Sequence, residues 1–274
     1  MDNCAPERAG GSVPVFISRK KVAVVQLFGT LGGGIKSQAY DRIFTTVMRD
    51  RGIRALVLDV DSPGGSASAS DYFYRKVARV AERKPVVASI RGVGASGAYL
   101  VCCAADRILA THGAVVGSIG VISIRPVIEG LLDKLGIAVN VNKSGAFKDM
   151  GSFWRKPTAE EDKRLQAFID DYYQVFVSTI AKARRLDEAK ARDLATGEIF
   201  WAPKAKDLGL IDGLGELDQA IDMAAEAARI PRRVVQLAPR RGWRDRFFSP
   251  FAESLVESVS SEIERRIWLN SLRY

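Results

Sequence analysis

Apolar residues in the first hundred positions come in two alternating textures. KVAVVQLFG (21–29), IRALVLDV (53–60) and KPVVASI (84–90) are nearly continuous apolar runs, the pattern of strands buried on both faces. Between them, Ile43, Phe44 and Val47 recur at helical spacing within 37–50, and Tyr72, Val77 and Val80 do so within 69–83. Strand–helix–strand–helix at this spacing predicts right-handed parallel crossovers, hence an α/β fold. A glycine loop at 92–97 and a short apolar helix follow the third strand. RILA (107–110), VVGSIGVIS (115–123) and IAVNVNK (137–143) read as further strands, with a helix near 126–135. From 159 the texture turns helical. EEDKRLQAFIDDYYQVFVSTIAKARR is one long amphipathic helix, DEAKARDLAT a second, and LDQAIDMAAEAARI (217–230) a third.

The last segment differs in character. Ser249-Pro250 is a helix-start signal, and Phe251, Leu255, Val259, Ile263 and Ile267 then recur every four residues. Such a helix must lay its apolar side on its own domain, a neighbouring subunit or a membrane surface. The expected organisation is an N-terminal extension (1–20), a main domain (21–235) and a basic, amphipathic helical tail (236–274).

With 274 residues, 47% hydrophobic and 27% charged, the chain has ample length for a large core. No stretch approaches the roughly 20 apolar residues of a membrane span, and the N-terminus lacks the apolar centre of a signal peptide. The net charge of +9 is concentrated in PRRVVQLAPRRGWRDRF (231–247). Six arginines there admit nucleic acid, an anionic membrane surface or simply a solvated basic face, and Trp243, Phe247 and Phe248 beside them keep peripheral membrane contact open. Three cysteines make no disulfide framework, and the adjacent Cys102 and Cys103 read as buried reduced thiols.

The chemistry concentrates in GVGASGAYL (92–100). Gly92, Gly94 and Gly97 spell the dinucleotide-binding pattern, but that site needs an acid about 20 residues on, and THGAVVGSIGVIS (111–123) holds none. The other reading is a nucleophile, Ser96, on a tight strand-to-helix turn. A serine needs a base. The single histidine, His112, falls in a turn between short strands, and one histidine also argues against an imidazole-rich zinc site. A lysine serves only if its pKa falls by roughly 3 from about 10.4, as in an apolar pocket. Lys148, flanked by Phe147, Met150, Phe153 and Trp154, has that setting. Asp149 beside it would hold the proton on if the two side chains met. On the residues alone, the base stays open.

DSPGG (61–65), GASGAYL (94–100), GSIGV (117–121), GAFKD (145–149) and GLIDGLGELDQAI (209–221), in this order, resemble the signal peptide peptidase A family of Ser-Lys serine proteases. The likeness runs from about 22 to 225. It implies the Clp protease/crotonase-like fold, a repeated β-β-α superhelix, with additional C-terminal helices. It implies Ser96 as nucleophile and Lys148 as general base. An oxyanion hole from the amides of Gly64 or Gly65 and Gly97, with Ser118 orienting the lysine, completes the implied site. Ser62 and Ser66 read instead as turn and N-cap residues. No metal or organic cofactor is implied. The implied substrates are apolar peptides, remnant signal peptides among them, and the implied assembly is a homo-oligomeric ring whose sites draw on more than one subunit.

Two departures stand out. Members generally carry an N-terminal membrane anchor, which is not evident here, so localisation reads as membrane-associated or cytoplasmic. Pro203, where glycine is common, predicts a local loop change. The rivals are a stomatin-partner membrane protease, a crotonase-type acyl-CoA enzyme indifferent to Ser96, and an idle scaffold.

Overall fold

The computed structural model describes residues 20–239. The expected N-terminal extension, and the tail apart from its first few residues, lie outside the described residues. So do Cys4, the aromatic-basic stretch from Arg240 and the repeat of Phe251, Leu255, Val259, Ile263 and Ile267.

The three apolar runs are the centre of one sheet. β1 (Lys21–Phe28), β2 (Ile53–Ser62) and β3 (Val86–Ala95) lie side by side and parallel, joined by the crossover helices α1 (Ser37–Arg49) and α2 (Ala67–Ala81). Their alternate residues face two separate cores. Ala23, Val25, Leu56, Leu58, Ala88 and Ile90 pack towards α1 and α2, where Phe44 and Phe73 are fully buried. Val22, Val24, Ala55, Val57 and Val87 pack on the far side, towards Ala220, Ile221 and Ala224 of a later helix. Burial on both faces explains why these strands carry no polar alternation.

β3 divides the sheet. Its first half pairs with β4 (Arg107–Ala110), and its second half pairs with β5 (Val115–Gly117). The register against β2 shifts between Val60 and Ser62, and the Asp61 carboxylate accepts from Val93 N (2.9 Å) where the ladder is interrupted. The helix α3 (Gly97–Cys102) leaves directly from the end of β3. Cys102 and Cys103 are buried free thiols, and burial pushes the Cys103 thiol up to about 12.

Beyond β5 the chain runs without a ladder, except for α4 (Glu129–Lys134), until α5 (Ala159–Arg184) and α6 (Glu188–Leu194). A Thr158/Glu161 capping box starts α5, and Arg185 ends it in a left-handed conformation. β6 (Ile199–Trp201) returns antiparallel to β5, and α7 (Ala202–Asp207) follows. Pro203 sits in the first turn of α7, where no intrahelical N–H is needed. β7 (Gly213–Leu214) pairs β4, and α8 (Leu217–Ala227) covers the far face. β8 (Val234–Leu237) adds a parallel edge to β1. The strand order is β6-β5-β3-β2-β1-β8, with β4 and β7 branching from β3. This is the α/β fold class that the motifs led us to expect.

Three expectations need correction. The strand read across 115–123 stops at Gly117, and IAVNVNK (137–143) forms no strand. Its alternating Ile137, Val139 and Val141 are all exposed, as are Ile122 (82%) and Ile124 (85%). Alternation reports an amphipathic extended segment, but a strand also needs an edge to pair with, and the described chain offers none here. The third correction is the 92–97 loop: β3 continues through Ala95, so the turn is essentially one residue.

Candidate active site

Ser96 occupies that one-residue turn between β3 and α3, with φ 52° and ψ −126°. A residue other than glycine adopts this conformation only under strain, about 1–3 kcal/mol, held by its surroundings. Ser96 N donates to Gly117 O (2.8 Å), and Ser96 O accepts from Leu100 N (3.1 Å). The main chain is thereby fixed on both sides, and the half-buried side chain makes no hydrogen bond among the described residues.

The DSPGG turn packs against this point. A side chain on Gly64 (φ +99°) would place its Cβ 2.8 Å from Gly97 N and 2.9 Å from Ser96 Cβ. One on Gly97 would lie 1.9 Å from Ser70 Oγ, itself held by Ser66 O (2.9 Å). Both positions require glycine because backbone approaches backbone. The amides then separate in role. Gly64 is buried and its N–H donates to Ser62 Oγ (3.2 Å). Gly65 is exposed, and neither its N–H nor that of Gly97, at the head of α3, meets a protein acceptor among the described residues. Two unengaged donors thus flank the Ser96 turn. Ser62 serves the turn, and Ser66 caps α2 through Ala69 N (3.3 Å), as expected of both. Ser70 was not singled out from sequence. Its only signal is a small residue one helical turn past the N-cap.

The same geometry disposes of the phosphate-loop reading. Gly92 and Gly94 lie within β3, where a Cβ would crowd Asp61 and Ile90 respectively, and α3 has only six residues. No glycine loop precedes a long helix here. His112 is exposed in the turn before β5, whereas Ser96 sits beside Gly117 at its far end. His112 stacks edge-on against Trp201 (4.9 Å) and makes no hydrogen bond among the described residues.

Ser118 follows Gly117 in a left-handed conformation (φ 50°), and its N–H donates to Glu198 O (2.7 Å). Lys148 is exposed, in the wall of an open cavity of about 440 Å³ with Val141, Met150, Phe153 and Trp154. No hydrogen bond joins it to Ser96 or Ser118. Its neighbours Phe147, Met150 and Phe153 remain exposed, so within one chain the expected dry pocket is open.

The Asp149 carboxylate points elsewhere. It accepts from Lys143 Nζ (2.6 Å) and from Arg155 Nε (3.0 Å). Arg155 in turn forks onto Glu161 (2.8 and 2.5 Å), whose Oε2 also accepts from Thr158 N (2.9 Å). Hydrogen bonds from Arg155 hold the Glu161 carboxyl down to about 2, and those from Arg155 and Lys143 hold Asp149 well below the usual carboxylate range. This chain of charges was not anticipated, although Thr158-x-x-Glu161 is legible as a capping box.

The sequence profile described as peptidase family S49 matches residues 78–231. A Synechocystis chain whose name calls it a candidate protease is 37% identical over 220 residues, covering 80% of this chain and 79% of that one. The chloroplastic serine protease SPPA of Arabidopsis thaliana is 33% identical over 231 residues, 84% of this chain but 33% of the longer relative. Among solved structures, the membrane-bound stomatin-specific protease 1510-N with a substrate peptide superposes with a TM-score of 0.55. Its identity is 18%, and the match covers 86% of this chain and all of that one. Fold, profile and relatives agree: the chain is a serine peptidase and belongs to peptidase family S49.

Proposed function

We propose that the chain is an endopeptidase working through a Ser96–Lys148 dyad on extended apolar peptides, remnant signal peptides among them. The observation that carries this is the strained Ser96 turn with the unengaged amides of Gly65 and Gly97 beside it. In the proposed reaction, Lys148 Nζ takes the proton from Ser96 Oγ as that oxygen bonds to the peptide carbonyl carbon. The oxyanion accepts from the Gly65 and Gly97 amides, each such donor typically worth about 3 kcal/mol. Gly64, already engaged by Ser62, contributes shape rather than a donor. The ammonium of Lys148 then protonates the leaving amine. Water attacks the ester carbonyl, giving a proton to Lys148, and Lys148 returns that proton to Ser96 Oγ as the C–O bond breaks and the acid leaves.

Lys148 and the apolar side chains around it are exposed in one chain, which supports a homo-oligomer in which a neighbouring copy covers them and brings lysine and serine together. Ser118 is then the group that orients the amine.

Both parts are tested together. The purified chain is treated with a serine-reactive fluorophosphonate over a wide range of protein concentration, and the adduct is mapped by mass spectrometry. Labelling is expected at Ser96, lost in Ser96→Ala, reduced at least about 10³-fold in Lys148→Ala and unchanged in His112→Ala. The rate per chain should fall on dilution as the native mass drops. Labelling that survives Lys148→Ala removes the dyad. A rate independent of association removes the shared site.

Among the described residues no helix is long and apolar enough to cross a membrane. Arg240, Arg241, Arg244 and Arg246, beside Trp243, Phe247 and Phe248, support peripheral membrane association. The full chain should float with anionic liposomes and stay down with neutral ones. Equal flotation after deletion of 241–274 would end that part of the reading.

A further inference from the structure

The residue next to Lys148 is an acid, and its whole charge is spoken for. Asp149 is nearly buried, at 8% side-chain exposure, and is gripped by Lys143 on one side and Arg155 on the other. Arg155 is itself anchored by Glu161, a 3% exposed carboxylate fixed in the capping box at the start of α5. The Asp149 backbone is held as well, since its carbonyl accepts from Ser152 Oγ. Two cations contact this one carboxylate, and the second, Arg155, is shared with Glu161, so the carboxylate is held from both sides in a closed ionic cluster. That arrangement fits one requirement: a carboxylate close to an amine that must lose its proton.

We propose that Lys143 and Arg155, anchored through Glu161, sequester the Asp149 carboxylate so that Lys148 has no counter-ion in its own loop. Arg155 is thus a positioning residue for the base, not a catalytic one, and the inference rests on the reading of Lys148 as base. Released from the clamp, Asp149 would swing towards its neighbour and hold the proton on Lys148. An opposite charge within about 4–6 Å favours the charged form of an amine by one or more pH units. Arg164 lies over the Phe147 ring (4.2 Å) and pairs with Glu160 (2.9 Å), while Asp162 pairs with Arg125 (3.6 Å).

The test is the pH dependence of fluorophosphonate labelling at Ser96 in the full chain, from about pH 5 to pH 9.5. Wild type is compared with Arg155→Gln, Lys143→Gln, Lys148→Ala and the double variant Arg155→Gln/Asp149→Asn. In Arg155→Gln the rising limb should move up by about one pH unit, seen as about tenfold slower labelling below the limb, while the alkaline plateau holds. The double variant should return the limb to its wild-type position, because the freed charge is gone. Lys143→Gln, which removes only the more exposed cation, should shift the limb the same way by less. It carries the test if Arg155→Gln does not fold.

A limb that stays put in Arg155→Gln and Lys143→Gln, while Lys148→Ala abolishes labelling, overturns the sequestration and leaves the dyad standing. So does a lowered plateau with an unmoved limb, which is what a merely structural role predicts. A shifted limb that Asp149→Asn does not restore also overturns it. Wild-type labelling in Lys148→Ala instead removes the base assignment underneath.

Discussion

Alanine at Gly65 will cut the rate of Ser96 labelling by at least about 10²-fold, the loss expected for one oxyanion donor. The new Cβ would lie 2.0 Å from Leu31 O and 2.7 Å from Leu31 N. Those are backbone atoms of a buried residue, and they are tied down. Leu31 N donates to Gly64 O (2.7 Å) and Leu31 O accepts from Ser66 N (3.0 Å). Leu31 cannot retreat without breaking both bonds, so the DSPGG turn must move and carry the Gly65 amide away from Ser96. Gly34→Ala is the control: it lies three residues after Leu31 and its Cβ meets nothing within 4 Å. Labelling kinetics on the two variants separate the outcomes. A Gly65→Ala rate within about threefold of wild type would mean that the oxyanion sits elsewhere.

Removing the Phe73 ring will cost about 3–5 kcal/mol of stability. Phe73 is fully buried and holds the layer between α1, α2 and the sheet, with edge-on contacts to Tyr40 (5.3 Å), Tyr72 (5.3 Å) and Phe44 (6.1 Å). These neighbours cannot collapse far into the space, because Tyr40 and Phe44 are fixed on α1 and Tyr72 on α2 beside Phe73 itself. For a unit of this size the loss corresponds to a fall in Tm of about 6–20 °C, measured by thermal melting with urea unfolding alongside. Phe73→Leu, which keeps most of the volume, should cost under about 2 kcal/mol. A Phe73→Ala loss below about 1.5 kcal/mol would show that this layer is not tightly packed.

The sequence made the centre of the sheet easy to read and its margins hard. β1, β2 and β3 are legible because strands buried on both faces must be apolar throughout, whatever packs on them. IAVNVNK carries an equally good strand pattern, yet pairing needs a partner, and a partner is not a local property. β8 is illegible for the opposite reason: its four residues, VVQL, are too short a run to read as a strand between flanking arginines, and only the open edge of β1 makes them one. At the candidate site, Ser96 and the glycines around it are legible because close backbone approach leaves only glycine. Which of Gly64 and Gly65 has a free amide was not, since it depends on where one hydroxyl, that of Ser62, points. The apolar company of Lys148 makes it one candidate, and only the family resemblance singles it out as base, while the two cations that hold its acidic neighbour lie six residues to either side of Asp149, and the Glu161 that anchors one of them sits at the start of a helix.

The left-handed backbone at Ser96 bears on how such a protein ages over generations. Glycine would occupy that turn at lower energy, so a Ser96→Gly change makes a sturdier molecule that lacks the hydroxyl. With Ser96 as the proposed nucleophile, selection for persistence and selection for turnover pull this one codon in opposite directions. A lineage that stops needing proteolysis has a downhill route to an inert fold through it. Glycine in place of serine at this turn, with the rest of the sheet intact, is the mark such a retirement would leave.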